Sequence, residues 1–203
     1  MSPSKSRRSR PRKKKSNNKK IILIVALLAV VAIVIVGYSM LGNNSSNENL
    51  PSTNKVMLTT NLGNILIELR DDMPITTNNF KKLVQQEVYD YTIFHRVMDG
   101  FMIQGGDPTG TGYGDPSIPN IEDEFTDNNI NARGTIAMAN AGPNTGSSQF
   151  FINLVDNSHL DNAHPVFGKV IEGMAVVDEI AQVDTENTRP VNDVMLIKAH
   201  IVD

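Results

Sequence analysis

Phe94-His95-Arg96-Val97-Met98-Asp99-Gly100-Phe101-Met102-Ile103-Gln104-Gly105-Gly106-Asp107 is the stretch on which the reading of this chain turns. It holds two short β-prone runs, with Asp99-Gly100 between them and a glycine pair after them. Alternate residues of a strand share a face, so Phe94 and Arg96 are expected to be cofacial, and so are Met102 and Gln104. The Phe and Met residues need nothing more than a core position. Arg96 and Gln104 ask for more, because a charged or amide side chain among apolar strands must find a polar partner. A second stretch, Ala137-Met138-Ala139-Asn140-Ala141-Gly142-Pro143-Asn144-Thr145-Gly146-Ser147-Ser148-Gln149-Phe150-Phe151-Ile152, adds another strand pair about a glycine-rich turn.

Outward from these stretches the chain keeps the same habit. Val56-Met57-Leu58-Thr59-Thr60, a turn over 61–64 and Ile65-Leu66-Ile67-Glu68-Leu69 read as an opening hairpin. Asp71-Asp72-Met73-Pro74 signals a helix start, and Ile75, Phe80, Leu83 and Val84 then recur at helical spacing up to residue 86. Short strands are predicted over 93–97, 101–104, 134–139, 149–154 and 166–170. A second helix fits 174–182, with Val176, Val177 and Ile180 inward, and a last strand fits 194–202. Many short strands, few helices and no β-α-β alternation indicate a mainly β domain, a closed barrel or a sandwich. The long segment 105–131 reads mostly as loop, which in a compact domain points to function or a lid.

The whole chain has 203 residues, no Cys, no Trp and a formal net charge of −3. The missing Cys excludes a disulfide scaffold, a thiolate zinc site and a Cys nucleophile together. The near-neutral total hides a segregation of charge. Residues 1–20 carry ten Lys/Arg and no acid, while residues 21–203 carry nine Lys/Arg against 22 Asp/Glu, a net −13. An acidic body lacks the cationic footprint of general nucleic-acid binding.

Residues 21–36 are sixteen consecutive apolar side chains, and 37–41 extend the uncharged stretch to 21. At about 1.5 Å per residue this reaches roughly 30 Å, the thickness of a bilayer's hydrocarbon core. Apolar residues fall on every face, unlike a soluble amphipathic helix, and the basic run before them should hold the N-terminus in the cytoplasm. The same order of basic and apolar regions, with Gly37-Tyr38-Ser39 as a small-x-small site, also fits a cleaved signal peptide and secretion. The length of both regions favours a retained anchor. The basic run is better explained by topology control and anionic-lipid contact than by nucleic acid. Residues 42–54 read as a flexible linker, within which Asn43 and Asn44 each open an N-x-Ser triplet. The expected organisation is therefore a basic cytoplasmic tail (1–20), a transmembrane signal-anchor helix (21–41), a linker (42–54) and one folded domain (55–203) outside the cytoplasm.

Most familiar chemistries find no support. His95, His159, His164 and His200 form no i,i+3 or i,i+4 pair and no H-E-x-x-H, so neither a metal nor another cofactor is expected. Residues 105–114 are glycine-rich but lack the Lys of a P-loop. Gly146-Ser147-Ser148-Gln149 is not G-x-S-x-G. Glu122-Asp123-Glu124 reads as a solvated acidic surface rather than as paired catalytic carboxylates.

Residues 94–107, residues 138–152 and Leu160-Asp161-x-x-His164-x-Val166-Phe167-Gly168-Lys169-Val170 resemble, in order and spacing, the signature blocks of the cyclophilins. Pro74-x-x-x-x-Asn79-Phe80 resembles the family's first helix. The resemblance covers residues 55–203. It implies an eight-stranded antiparallel closed β-barrel capped by two α-helices, here preceded by one transmembrane helix, with a proline-binding groove on the outer wall. It implies peptidyl-prolyl cis–trans isomerisation, here assisting the folding of exported proteins, with proline-containing polypeptides as partners and a monomeric state.

Carried over position by position, the resemblance implies Arg96, Gln104 and Phe101 as catalytic residues. It implies Met102, Ala139, Asn140, Gln149, Phe151, His159, Leu160 and His164 as substrate-binding residues. His159 stands where many eukaryotic members have Trp, which implies weaker binding of cyclosporin-type ligands with little change in catalysis. The compact loops, 107–112 among them, look more like prokaryotic members. A non-catalytic proline-binding module tethered to the membrane is the alternative, and the presence of Arg96 speaks against it. A lipocalin-type carrier is a weaker third reading, since the interior of this family's barrel is filled by side chains.

Overall fold

The structure, a computed structural model, describes residues 50–203. The expected basic tail, the transmembrane helix and most of the linker lie outside the described residues. Among those described, no helix is long and apolar enough to cross a membrane.

β1 (Lys55–Thr60) and β2 (Gly63–Leu69) form the expected opening hairpin, with Val56, Leu58, Ile65 and Ile67 alternating into the core. The Thr60 hydroxyl closes its turn, donating to the Gly63 carbonyl at 2.8 Å. α1 (Pro74–Gln85) follows with Pro in its first turn, as expected, but its cap is not local. The Glu124 carboxylate accepts the N–H groups of Ile75 at 2.9 Å and Thr76 at 2.6 Å. A remote anion thus satisfies orphan donors at the positive end of the helix dipole. Asp72, expected as part of the start signal, pairs with Arg70 at 2.7 Å instead. The acidic trio is therefore more than a solvated surface.

Seven further strands join this hairpin: β3 (Thr92–Ile93), β4 (Arg96–Met98), β5 (Met102–Gly105), β6 (Thr135–Met138), β7 (Phe150–Asn153), β8 (Val166–Glu172) and, last in the chain, β11 (Met195–Val202). Between β8 and β11 come α2 (Met174–Ala181) and a small hairpin of β9 (Thr185–Glu186) and β10 (Arg189–Pro190). The nine strands form one antiparallel sheet in the order β3-β11-β1-β2-β8-β6-β7-β5-β4.

The expected eight-stranded closed barrel is corrected by this topology. The sheet is strongly curled but open, with β3 and β4 as its edges, and no ladder joins them. A single isolated bridge, Ile93 to Asp107, reaches across from β3 to the residues just beyond β5. The cause lies in the segment read as one strand over 93–97. β3 pairs with β11 as far as Ile93, the chain crosses at Phe94-His95, and β4 then pairs with β5. The crossing runs against Gly105, where a Cβ would stand 3.2 Å from the Phe94 ring and 3.3 Å from the Ile93 carbonyl oxygen. The break also resets the alternation. Phe94 and Val97 both enter the core, so Arg96 emerges on the opposite face and the expected pairing of Phe94 with Arg96 fails.

Both edges are short, and the Val97 N–H of β4 donates to the Thr188 carbonyl at 2.7 Å. Thr188 belongs to the β9–β10 hairpin, which the sequence reading missed. Its turn residues Asn187 and Thr188 have φ of 50° and 73°, the left-handed pair that a tight two-residue hairpin requires.

The main core lies between the sheet and the two helices. Phe80 of α1 sits 5.0 Å from Tyr89, 5.6 Å from Phe150 and 5.2 Å from Phe167, centroid to centroid. Phe150 meets Tyr89 edge-on at 5.7 Å and Phe94 at 6.3 Å. These rings fill the interior, which counts against the carrier reading.

Candidate functional site

The sheet's other face carries a second, smaller apolar cluster. Met102, Ala137, Phe151 and Val166 are buried there, with Met98, Phe101, Ala139 and Leu160 packed on them. Its floor follows from strand register. Arg96 lies opposite Gln104, Gln104 opposite Phe151, and Phe151 opposite Ala137. Directly facing residues of antiparallel strands share a face, so guanidinium, amide, ring and methyl form one row across four strands. The expected sharing of a face by Met102 and Gln104 holds. Phe101 comes from the turn before β5, Ala139 and Asn140 from the end of β6, and a 3-10 turn over Ser158–Leu160 brings in Leu160. Arg96, Phe101, Met102, Gln104, Ala139, Asn140, Phe151, Leu160 and His164 line a single hollow of about 260 Å³.

The polar groups of this hollow are held in definite roles. Arg96 donates from Nη1 to Gln104 Oε1 at 3.2 Å, Nη2 lies 3.1 Å from Met98 Sδ, and Cζ stands 5.9 Å from the Phe101 ring centre. A guanidinium has five N–H donors, so several remain for a ligand. His164 Nδ1 lies 3.1 Å from the Met138 carbonyl. A carbonyl only accepts, so Nδ1 carries the proton. The His164 ring stands edge-on to Phe151 at 5.3 Å and 82°. Asn140 commits its side-chain amide to the Ala163 carbonyl at 2.7 Å.

Two of the expected residues stand apart from the hollow. His159 is exposed and stacks on Phe101, with ring centres 5.8 Å apart and planes 19° apart. Gln149 accepts from Gln104 Nε2 at 2.9 Å and lines an adjoining hollow of about 610 Å³ that shares Gln104, Ala139 and Asn140.

Sequence reasoning missed the residues that fix the wall. Asn129, Asn131, Asn153 and Asn157 are all buried. Asn153 donates to Asn131 Oδ1 at 3.2 Å and to Thr135 Oγ1 at 2.9 Å, while Asn157 donates to Asn153 Oδ1 at 2.8 Å and to the Phe101 carbonyl at 3.0 Å. Asn129 accepts from the Val166 N–H at 2.7 Å and donates to the His164 carbonyl at 3.1 Å. The network ties the segment carrying His164 to the sheet and to Phe101. Asparagine is disfavoured in strands and in cores, so its recurrence beside β-prone runs is the available signal.

Asp107 was also missed. It is fully buried and accepts from the Thr109 N–H at 2.9 Å, the Thr109 hydroxyl at 2.8 Å, the Gly112 N–H at 2.7 Å and the Gly114 N–H at 3.2 Å. Burial alone would raise its pKa, but these donors outweigh it and hold the carboxyl below the ordinary 3.8.

His95, beside Arg96 in sequence, is buried, and its Nδ1 has no hydrogen-bond partner. Burial pushes its pKa below the ordinary 6.5, opposed by Asp107 and assisted by Arg189 and Arg96. The unfolded chain therefore takes up a proton below pH 6.5 that the folded protein refuses. The stability tied to neutral His95 is complete above that pH and is lost as pH falls through the lower folded value. The thermal midpoint is expected to drop between pH 7.5 and pH 5.5, and His95→Gln is expected to flatten that slope. Equal slopes in the two proteins would overturn the assignment.

Comparison with known proteins bears on this geometry. Residues 55–201 match the family model described as cyclophilin type peptidyl-prolyl cis-trans isomerase/CLD. The chain is 44% identical over 156 residues to the peptidyl-prolyl cis-trans isomerase-like 1 of Gibberella zeae, covering 74% of this chain and 96% of the relative. Against the human protein of the same description it is 45% identical over 150 residues, covering 71% and 90%. A crystal structure of a Cryptosporidium parvum cyclophilin type peptidyl-prolyl cis-trans isomerase, in the presence of the dipeptide Ala-Pro, matches with a TM-score of 0.70 and 33% identity, covering 73% of this chain and 99% of that one. These relatives are eukaryotic and lend no support to a prokaryotic character.

Proposed function

The chain belongs to the cyclophilin-type peptidyl-prolyl cis-trans isomerases, and from that premise we propose that it turns X-Pro bonds in the Arg96 hollow, acting on exported proteins from a membrane anchor. The observation that carries the placement is the meeting, in one 260 Å³ hollow, of a guanidinium with spare donors and an apolar slot. The Ala-Pro dipeptide present with the Cryptosporidium relative supports the same substrate chemistry.

An X-Pro bond rotates over a barrier of about 18–20 kcal/mol, and unaided exchange takes tens of seconds or longer. No bond between heavy atoms breaks. What must be lost is amide resonance, and as the C–N bond twists, lone-pair density returns to the prolyl nitrogen. A donor aimed there stabilises the twisted state over either planar one. Arg96 supplies that donor, permanently charged and already held on one edge by Gln104.

A charge-assisted hydrogen bond contributes about 1.5–3 kcal/mol, roughly tenfold to a hundredfold in rate. The rest comes from gripping one side of the bond while the other turns. Phe101, Met102, Phe151, Leu160 and His164 form the slot for the pyrrolidine ring. Gln104 and the backbone at Asn140 hold the flanking peptide groups. The apolar walls also favour the less polar twisted amide, so the site is complementary to the transition state rather than to either isomer.

The membrane part of the proposal rests on residues 1–41, whose ten cations precede a 21-residue uncharged stretch. It gives a single-pass protein with its N-terminus in the cytoplasm and its catalytic domain, a monomer, outside.

Exchange NMR on an X-Pro peptide with substoichiometric full-length protein tests the reaction. Cis–trans exchange peaks absent from the free peptide are expected. Binding without exchange would leave a docking module in place of an enzyme at this groove. Fractionation with intact-mass measurement tests the anchor: the full mass in the membrane pellet supports it, and a soluble product lacking residues 1–39 replaces it by secretion.

A further inference from the structure

Asp107 touches none of the groups that grip or donate to a substrate, yet it anchors the backbone of Gly112, on which a line of hydrogen bonds beginning at Arg96 ends. Arg96 Nη1 donates to Gln104 Oε1 at 3.2 Å, and Gln104 Nε2 donates to Gln149 Oε1 at 2.9 Å. Gln149 Nε2 donates to the Gly112 carbonyl at 3.1 Å, and the Gly112 N–H donates to Asp107 Oδ2 at 2.7 Å. The first three links run the same way, from the cation to the Gly112 carbonyl, and the Gly112 N–H, in the preceding peptide group, ties that residue's backbone to the carboxylate.

The direction is forced by the ends. A guanidinium only donates, so Gln104 must present its oxygen to Arg96. A carbonyl only accepts, so Gln149 must present its nitrogen to Gly112. Flipping either amide sets donor against donor or acceptor against acceptor. The line therefore holds the guanidinium edge by geometry, each amide being locked in one orientation by the partners on its two sides. Asp107 is fully buried and is also held by Thr109 and Gly114, so the terminus of the line is fixed.

We infer that Asp107 is a positioning residue for Arg96, acting through the 107–114 loop and the amides of Gln149 and Gln104. It fixes the edge of the guanidinium that faces Gln104 and leaves the remaining donors to the prolyl nitrogen. The inference rests on Arg96 being the donor of the reaction proposed above.

A double-mutant cycle on the full-length chain separates this role from a merely structural one. The four proteins are wild type, Asp107→Asn, Arg96→Ala and the double variant. The readouts are the on-enzyme cis–trans rate and the affinity for one Ala-Pro-containing tetrapeptide, both from NMR line shapes. Loss of a hydrogen-bond link is expected to slow turning by about threefold to tenfold in Asp107→Asn, with affinity changed by less than about twofold. In the Arg96→Ala background the same substitution should slow nothing further.

Equal slowing in both backgrounds would overturn the inference and assign Asp107 to the fold alone, as would an unchanged rate in Asp107→Asn. An unchanged rate in Arg96→Ala would instead remove the proposed reaction at this site. Gln149→Met cuts the line between loop and sheet without touching Asp107, and decides the matter if Asp107→Asn does not fold. It should reproduce the slowing and its dependence on Arg96, and an undiminished rate there overturns the relay.

Discussion

Arg96→Ala is expected to lower kcat/KM for an X-Pro peptide by about tenfold to a hundredfold, the value of one charge-assisted hydrogen bond formed in the transition state. The loss should fall on turning rather than on binding, because the proposed slot for the ring is built from Phe101, Met102, Phe151, Leu160 and His164. Arg96→Lys should recover only part of the rate. A lysine keeps the charge but not the planar fork that can donate to Gln104 and to a substrate together. A protease-coupled assay at matched protein concentration reads the effect directly. Equal rates for Arg96→Ala and wild type would take the guanidinium out of the chemistry and leave a groove that only docks proline.

Phe150→Ala should have the largest effect on stability. Its ring is fully buried and touches Phe80, Tyr89 and Phe94 at centroid distances of 5.6, 5.7 and 6.3 Å. Removing a core phenylalanine costs about 3–5 kcal/mol through lost burial and the cavity left behind. For a domain of this size that is a fall of roughly 6–20 °C in the thermal midpoint. Phe151, its neighbour in sequence, lies on the other face of β7 and lines the Arg96 hollow. Below its midpoint, Phe150→Ala should therefore keep near-normal peptide affinity. A calorimetric midpoint within a degree or so of wild type would show that this ring does not hold the core together.

That contrast shows where the sequence was legible. Period-two alternation is a local property, so it placed Met102 beside Gln104. It failed at Phe94 and Arg96, because the crossing between β3 and β4 depends on strands far away in the chain. The open sheet was illegible for the same reason, since closure is decided by whether edge strands find each other. The resemblance to known sequence blocks named eleven candidate site residues, nine of which line one hollow. It named neither Glu124 on the helix terminus nor the four buried asparagines nor Asp107. Glu124, Asn129 and Asn157 act by reaching across the fold to a backbone group, and such distant partners leave no mark in local spacing.

The two ends of the curled sheet carry a consequence for any contact with extended polypeptide. An extended client offers free N–H and C=O groups that would zip onto any long bare strand. Here one rim is two residues long, and the other is three with its middle amide already taken by Thr188. Neither edge strand thus offers incoming polypeptide a long row of free groups to extend, which disfavours stitching it into a shared sheet.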